Sequence, residues 1–214
     1  MKVFLRFGNF FVLFLIIILA IISFYKTGLY DKFFKETTTA KIIKSNIDKD
    51  SDGIDDYTDI LKGAKKFIKE EPKYKSKYYE GGYPLDEYRV CSDIIWYALD
   101  YAGYDFKSLI DEDIKKNKDA YDSDVGDTNI DFRRVRNIKV YLDRYALSLS
   151  KEKNFNPGDI VVYEDHIAIV SDKKNKDGYN YILHQHPFYN YESDSLFFDK
   201  IIGHYRWEIN NEDK

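Results

Sequence analysis

The chain has 214 residues, a formal net charge of -4 and a pI near 5.6. That balance leaves no basic face to argue for nucleic acid, and a single cysteine, Cys91, permits no internal disulfide. Twenty tyrosines and fifteen phenylalanines exceed what a small core needs; most are expected half-buried, with some lining a groove for sugar or peptide.

At the N-terminus, Lys2 and Arg6 precede an apolar run from Phe10 to Tyr25. That length is near the lower limit for crossing a bilayer and also suits a signal-peptide core. No small-x-small cleavage site follows, so residues 1–25 are expected to be an uncleaved single transmembrane anchor, with a cleaved signal as the alternative. The basic end would face the cytoplasm, which makes the remainder extracytoplasmic. The absence of a cysteine there excludes a lipoprotein. A Lys/Thr-rich linker, 26–46, follows.

Residues 47–72 are expected to hold a calcium loop and a helix. In DKDSDGIDDYTD the carboxylates of Asp48, Asp50, Asp52, Asp56 and Asp59 fall at loop positions 1, 3, 5, 9 and 12. Gly53 stands at position 6 and the Ile54 carbonyl at position 7. Hard oxygen ligands at that spacing, with a glycine for the sharp turn, are what calcium requires. Asp55 and Asp59 depart from an EF-hand, and the loop resembles the calcium repeats of thrombospondin type 3 and dockerin proteins. The plainer alternative is an acidic N-cap and solvated turn. Ile60, Leu61, Ala64, Phe67 and Ile68 at helical spacing make Tyr57 to Lys69 a helix, and calcium would act as a structural clip at its start.

The segment YRVCSDIIWYALDYAGYD carries the chemistry. Val90, Ile94, Ile95, Ala98, Leu99 and Ala102 recur at helical spacing and stop at Gly103. Cys91 is then expected in the first turn, where unpaired N–H groups and the helix dipole favour a thiolate nucleophile. Asp93 works against this, since a nearby carboxylate raises a thiol pKa. Further on, Asp127, Asn129, Asp131, Arg133 and Arg134 cluster ahead of a helix marked by Val135, Ile138, Tyr141, Leu142 and Tyr145. Their charges either clamp a loop or bind the carboxylates of a stem peptide, and mixed signs favour the clamp.

Asn156-Pro157-Gly158-Asp159 reads as a turn, followed by strands Ile160 to Tyr163, His166 to Ser171 and Tyr179 to His184. Pairing Asp172 with Gly178 across the intervening loop sets His166 directly opposite His184 on one face. His166 would then be the base for Cys91, and His184 the residue that orients its ring. A zinc reading of His166, His184 and His186 is also available, although no carboxylate or second cysteine at ligand spacing joins them. His186 and His204 need be no more than hydrogen-bonded strand residues.

VCSD, DTNIDFRR, GDIV, HIAIVSD, ILH and GHYR, in that order over about residues 73–208, resemble a family of uncharacterised secreted bacterial proteins grouped with the NlpC-type cysteine peptidases. The resemblance implies a papain-like α+β fold over 73–214, with helices packed on a small antiparallel sheet. It also implies cleavage of amide bonds in peptidoglycan stem peptides or another cell-envelope substrate. Carried over, Cys91 is the nucleophile, His166 the base and His184 the third polar residue, with no cofactor in the chemistry. The alternatives are a calcium-dependent envelope-binding module without turnover, and a thiol acyltransferase.

Overall fold

A computed structural model of the chain describes residues 2–26 and 37–208. The chain divides into two units, the first ending at Glu36 and the second starting at Thr37. In the first, Lys2–Lys26 is a helix, α1. Its described side chains run only from 11 to 24 and are almost all exposed, Phe11, Leu19 and Ile21 among them. Among the described residues no helix is long and apolar enough to cross a membrane. The segment expected to span a membrane is helical.

The second unit is α+β. In chain order it contains β1 (Thr38–Thr39), α2 (Asp56–Lys69), β2 (Lys73–Tyr74), β3 (Tyr88–Arg89), α3 (Asp93–Tyr101) and α4 (Phe106–Lys116). After two 3₁₀ turns come α5 (Val135–Tyr145), β4 (Leu147–Ser148), β5 (Ile160–Val162), β6 (Ile167–Lys174), β7 (Asn180–His186), β8 (Tyr189–Ser193) and β9 (Gly203–Arg206). Seven strands form an antiparallel sheet in the order β4-β9-β5-β6-β7-β8, with β1 against the far end of β6. β2 and β3 make a separate parallel pair.

The period of two along the strands divides the core. Ile160, Val162, Ile167, Ile169, Leu183 and Tyr205 pack with the helices through Ile60, Phe67, Ile94, Ile95, Leu99 and Ile138. Val161, Tyr163, Ala168, Val170 and Ile182 face the other side, under Phe155, Leu196 and Ile201. Each fully buried aliphatic or aromatic chain here stabilises by roughly 1.5–3 kcal/mol relative to exposure. α2 and α3 approach closely because Gly63 lies between them: a Cβ there would sit 2.7 Å from Tyr101 Cβ and 2.9 Å from Ala98 Cα. α3 stops as its sequence demands. Gly103 takes φ 81°, its N–H bonds the Asp100 carbonyl at 3.0 Å, and the Tyr104 N–H bonds Leu99 at 2.9 Å.

The strand register differs from expectation. The β6–β7 hairpin closes at Lys174↔Asn180, slips, and continues as Val170↔Ile182 and Ile169↔Leu183. Between these pairs the Asn180 side chain donates to the Ser171 carbonyl at 2.7 Å, occupying an acceptor that a regular ladder would use. The continued ladder puts His184 opposite Ala168, two residues from the predicted partner His166. A shift of two keeps both histidines on one face.

Candidate active site

Regular helix starts at Asp93, two residues later than predicted. The Asp93 carboxylate nonetheless reaches back to the Val90 N–H at 2.7 Å, while the Asp93 N–H bonds the Val90 carbonyl at 3.1 Å. That is the return half of a capping box, and it winds Cys91 and Ser92 into the opening turn. Asp93 is fully buried and holds Arg133 in a two-bond fork, Nε to Oδ1 at 2.7 Å and Nη2 to Oδ2 at 2.8 Å. Trp96 Nε1 adds a third donor at 2.8 Å. Arg133 also donates to the Lys77 carbonyl at 3.0 Å, and the Ser92 hydroxyl donates to the Arg133 carbonyl. The charge cluster therefore clamps, as expected, but its anchor is Asp93, forty residues away. Arg134 pairs with Asp124, and Asp131 accepts from the Gly126 N–H at 2.7 Å.

Cys91 is 7% exposed, and the backbone N–H groups of Ser92, Ile167 and Cys91 itself lie against its sulfur. Ile167, whose N–H meets the sulfur, directly follows His166 in the chain. Burial, with Asp93 adding to it, pushes the thiol up to about 11 despite those amides. Burial also pushes His166 down to about 4 and His184 down to about 3, with neighbouring imidazoles contributing. Desolvation thus opposes the expected thiolate and outweighs the helix-start amides.

His166 Nε2 and His184 Nδ1 are 3.0 Å apart, with the rings at 85°. This leaves Nδ1 as the His166 ring nitrogen outside that contact. His184 Nε2 meets the Ser193 hydroxyl at 2.9 Å. The Phe198 ring stands 5.5 Å from His166 and 4.6 Å from Tyr163. His186, half-buried, has its ring 6.1 Å from His166 and 6.2 Å from His184. His204 belongs elsewhere. Its Nε2 meets Asp159 at 2.9 Å, and Arg206 forks onto the same carboxylate at 2.8 and 3.1 Å, so GDIV and GHYR are two halves of one buried clamp.

Among the described residues the one group of side chains converging as a metal site would is Asp48, Asp50 and Asp52, with ligand atoms within 4.8 Å of one another. His166, His184 and His186 do not converge in that way. Gly53 takes φ 90° at the turn of the acidic loop, and its N–H donates to Asp48 at 2.9 Å. Asp59 is buried beside the triad: desolvation and the charges of Asp52 and Asp50 hold its carboxyl above the usual range, and Lys62 lies 3.4 Å away. Asp56, expected as a ligand, stands apart because its oxygens accept from the Lys49 N–H at 2.9 Å and from the Tyr104 hydroxyl. Asp55 caps α2 through the Thr58 N–H.

The histidine pair predicts an acid limb in stability. Both folded values are depressed, so their contribution is full above the ordinary imidazole range near pH 6.5 and is lost as pH falls toward 4 and then 3. Denaturant unfolding should lose up to ~1.4 kcal/mol per pH unit per ring across that window. His184→Gln should flatten the limb; an unchanged slope would contradict the buried neutral pair.

The geometry defines an α+β protein with a buried cysteine ahead of α3 and a buried histidine pair at interior strands of its sheet. The chain belongs to the family described as Domain of unknown function (DUF1287), whose model matches residues 61–207. The match starts after Asp59 and includes Cys91, His166 and His184. The chain is also 34% identical over 151 residues to the uncharacterized protein YijF of Escherichia coli (strain K12), covering 65% of this chain and 74% of that one. No solved structure matches.

Proposed function

We propose that the protein is a cysteine hydrolase of papain-like, NlpC-type design that cleaves amide bonds of the cell envelope, in peptidoglycan stem peptides. The observation that carries this is the 3.0 Å contact between His166 Nε2 and His184 Nδ1, the base-and-orienter pair such a mechanism needs. In the reaction, Sγ attacks the carbonyl carbon as its proton passes to His166 Nδ1, so no free thiolate need accumulate. Backbone N–H groups at the start of α3 stabilise the oxyanion. The amine leaves with the proton from His166, and water then hydrolyses the thioester by the same base. Incubating purified peptidoglycan with wild type and Cys91→Ala, and identifying released fragments by mass, tests this. Fragments bearing new amine and carboxyl ends with wild type alone are expected; no release by either favours the second reading.

That second reading is an envelope-binding module without turnover, and the burial of Cys91 with its raised thiol favours it. Transfer to an added amine in place of water would instead mark an acyltransferase. For location, the apolar run that α1 contains supports an extracytoplasmic protein held at the membrane by its N-terminal helix, or secreted if that helix is cleaved.

The acidic loop fits calcium through Asp48, Asp50, Asp52 and the buried Asp59, with the Ile54 carbonyl available and Asp56 used for structure. A bound cation there would neutralise the triad and fix the start of α2. Millimolar calcium is expected to raise the melting temperature by several degrees, since occupancy at ~100 Kd adds about 2.7 kcal/mol. Asp48→Ala with Asp52→Ala should abolish the shift. An unchanged wild-type melting curve would reduce the loop to an acidic turn.

A further inference from the structure

We propose that Ser193 is a positioning residue of this site, accepting a hydrogen bond from His184 Nε2 and thereby fixing which nitrogen of each histidine carries its proton. The proposal deepens the hydrolase reading and rests on it. Ser193 ends β8, pairs with Ile182 on β7 and is 2% exposed, while His184 is 1% exposed. Its hydroxyl lies 2.9 Å from His184 Nε2, and His184 Nδ1 lies 3.0 Å from His166 Nε2. Both ring nitrogens of His184 are therefore engaged in a single line that runs from His166 to Ser193.

A contact between two neutral ring nitrogens holds one proton, so the line has a direction. For His166 to take the Cys91 proton on Nδ1, its own proton must already lie on Nε2 and point at His184 Nδ1. That nitrogen must then be bare, which puts the His184 proton on Nε2, pointing at Ser193. The imidazolium formed on His166 after the transfer keeps the same direction. In the reverse direction Ser193 donates to His184, the proton between the rings belongs to His184, and His166 is left protonated on Nδ1. In that state it has no lone pair for the thiol. Every working state thus needs an acceptor at Ser193. An alanine removes that acceptor and favours moving the His184 proton to Nδ1, the wrong direction for a base.

The test uses the full chain labelled with nitrogen-15 at histidine, with long-range proton–nitrogen correlation to read each tautomer at near-neutral pH, and iodoacetamide as the probe of Cys91. In wild type His184 should be the Nε2–H tautomer. Ser193→Ala should shift it to Nδ1–H and slow Cys91 alkylation by at least about tenfold, a loss typical of removing the partner that orients a functional imidazole. Ser193→Thr, which keeps the hydroxyl, should restore the wild-type tautomer and guards against a variant that simply fails to fold. Wild-type His184 protonated on Nδ1, or a folded Ser193→Ala with the wild-type tautomer and rate, would overturn the proposal. The hydrolase reading fails separately, if His166→Ala alkylates at the wild-type rate, and the tautomer spectra still decide the role of Ser193 in that event.

Discussion

His166→Ala is expected to remove nearly all turnover. With burial holding the thiol well above its usual range, attack depends on a base that takes the proton as the bond forms. Losing such a base costs about 10²–10⁴-fold in rate. His184→Ala should leave a measurable fraction, because that ring only holds the tautomer and angle of its neighbour. His184→Asn or His184→Gln should retain more, as either amide can offer an oxygen to the His166 N–H. Steady-state release of fragments from peptidoglycan reads all four variants. Full activity in His166→Ala, or equal losses at both histidines, would contradict this division of roles.

Arg133→Ala should be the most damaging change for stability. It leaves the Asp93 carboxylate fully buried without its cation, a loss of about 3–5 kcal/mol where a buried pair is broken from one side. The damage is local to the site as well, since the same fork steadies the carboxylate that caps Val90 and winds the turn carrying Cys91. Arg133→Lys should recover little, because an ammonium cannot bridge both oxygens in the fork geometry. Urea unfolding measures the difference, and a loss below about 1 kcal/mol would mean that the pair is not the brace described.

Much of this was legible in the sequence because it is local. Helical spacing after Cys91 and after Arg134 identified α3 and α5, and Gly103 marked its stop through the positive φ that a glycine tolerates. The Asp159 turn and the alternating strand beyond it were equally plain. The histidine pair was found on one face for a reason that tolerated error: the hairpin slips by two residues at Ser171 and Asn180, and a shift of two preserves the face. The chain could not announce Asp93–Arg133, because nothing local links residues forty apart until the 3₁₀ turn at Asp131–Arg133 folds against α3. Ser193 was hidden likewise. It lies at the end of a strand whose YNYES stretch reads as weakly alternating, and its partner is set only by the β7–β8 register. The thiolate expected from helix-start amides failed because burial, a property of the assembled core, outweighs them. Asp56 kept its ligand spacing but was drawn to Lys49 and Tyr104 instead.

The central claim is that Cys91 forms an acyl bond to its substrate, and intact-mass analysis of quenched reactions tests it most directly. Full-length protein mixed with peptidoglycan fragments and stopped in acid should carry an added mass equal to the acyl portion of the cleaved fragment. That adduct should map to Cys91, be released by hydroxylamine as a thioester is, and be absent from Cys91→Ala. Fragment release by Cys91→Ala, or turnover by wild type with no adduct at any quench time while the amine product accumulates in a burst, would contradict the account.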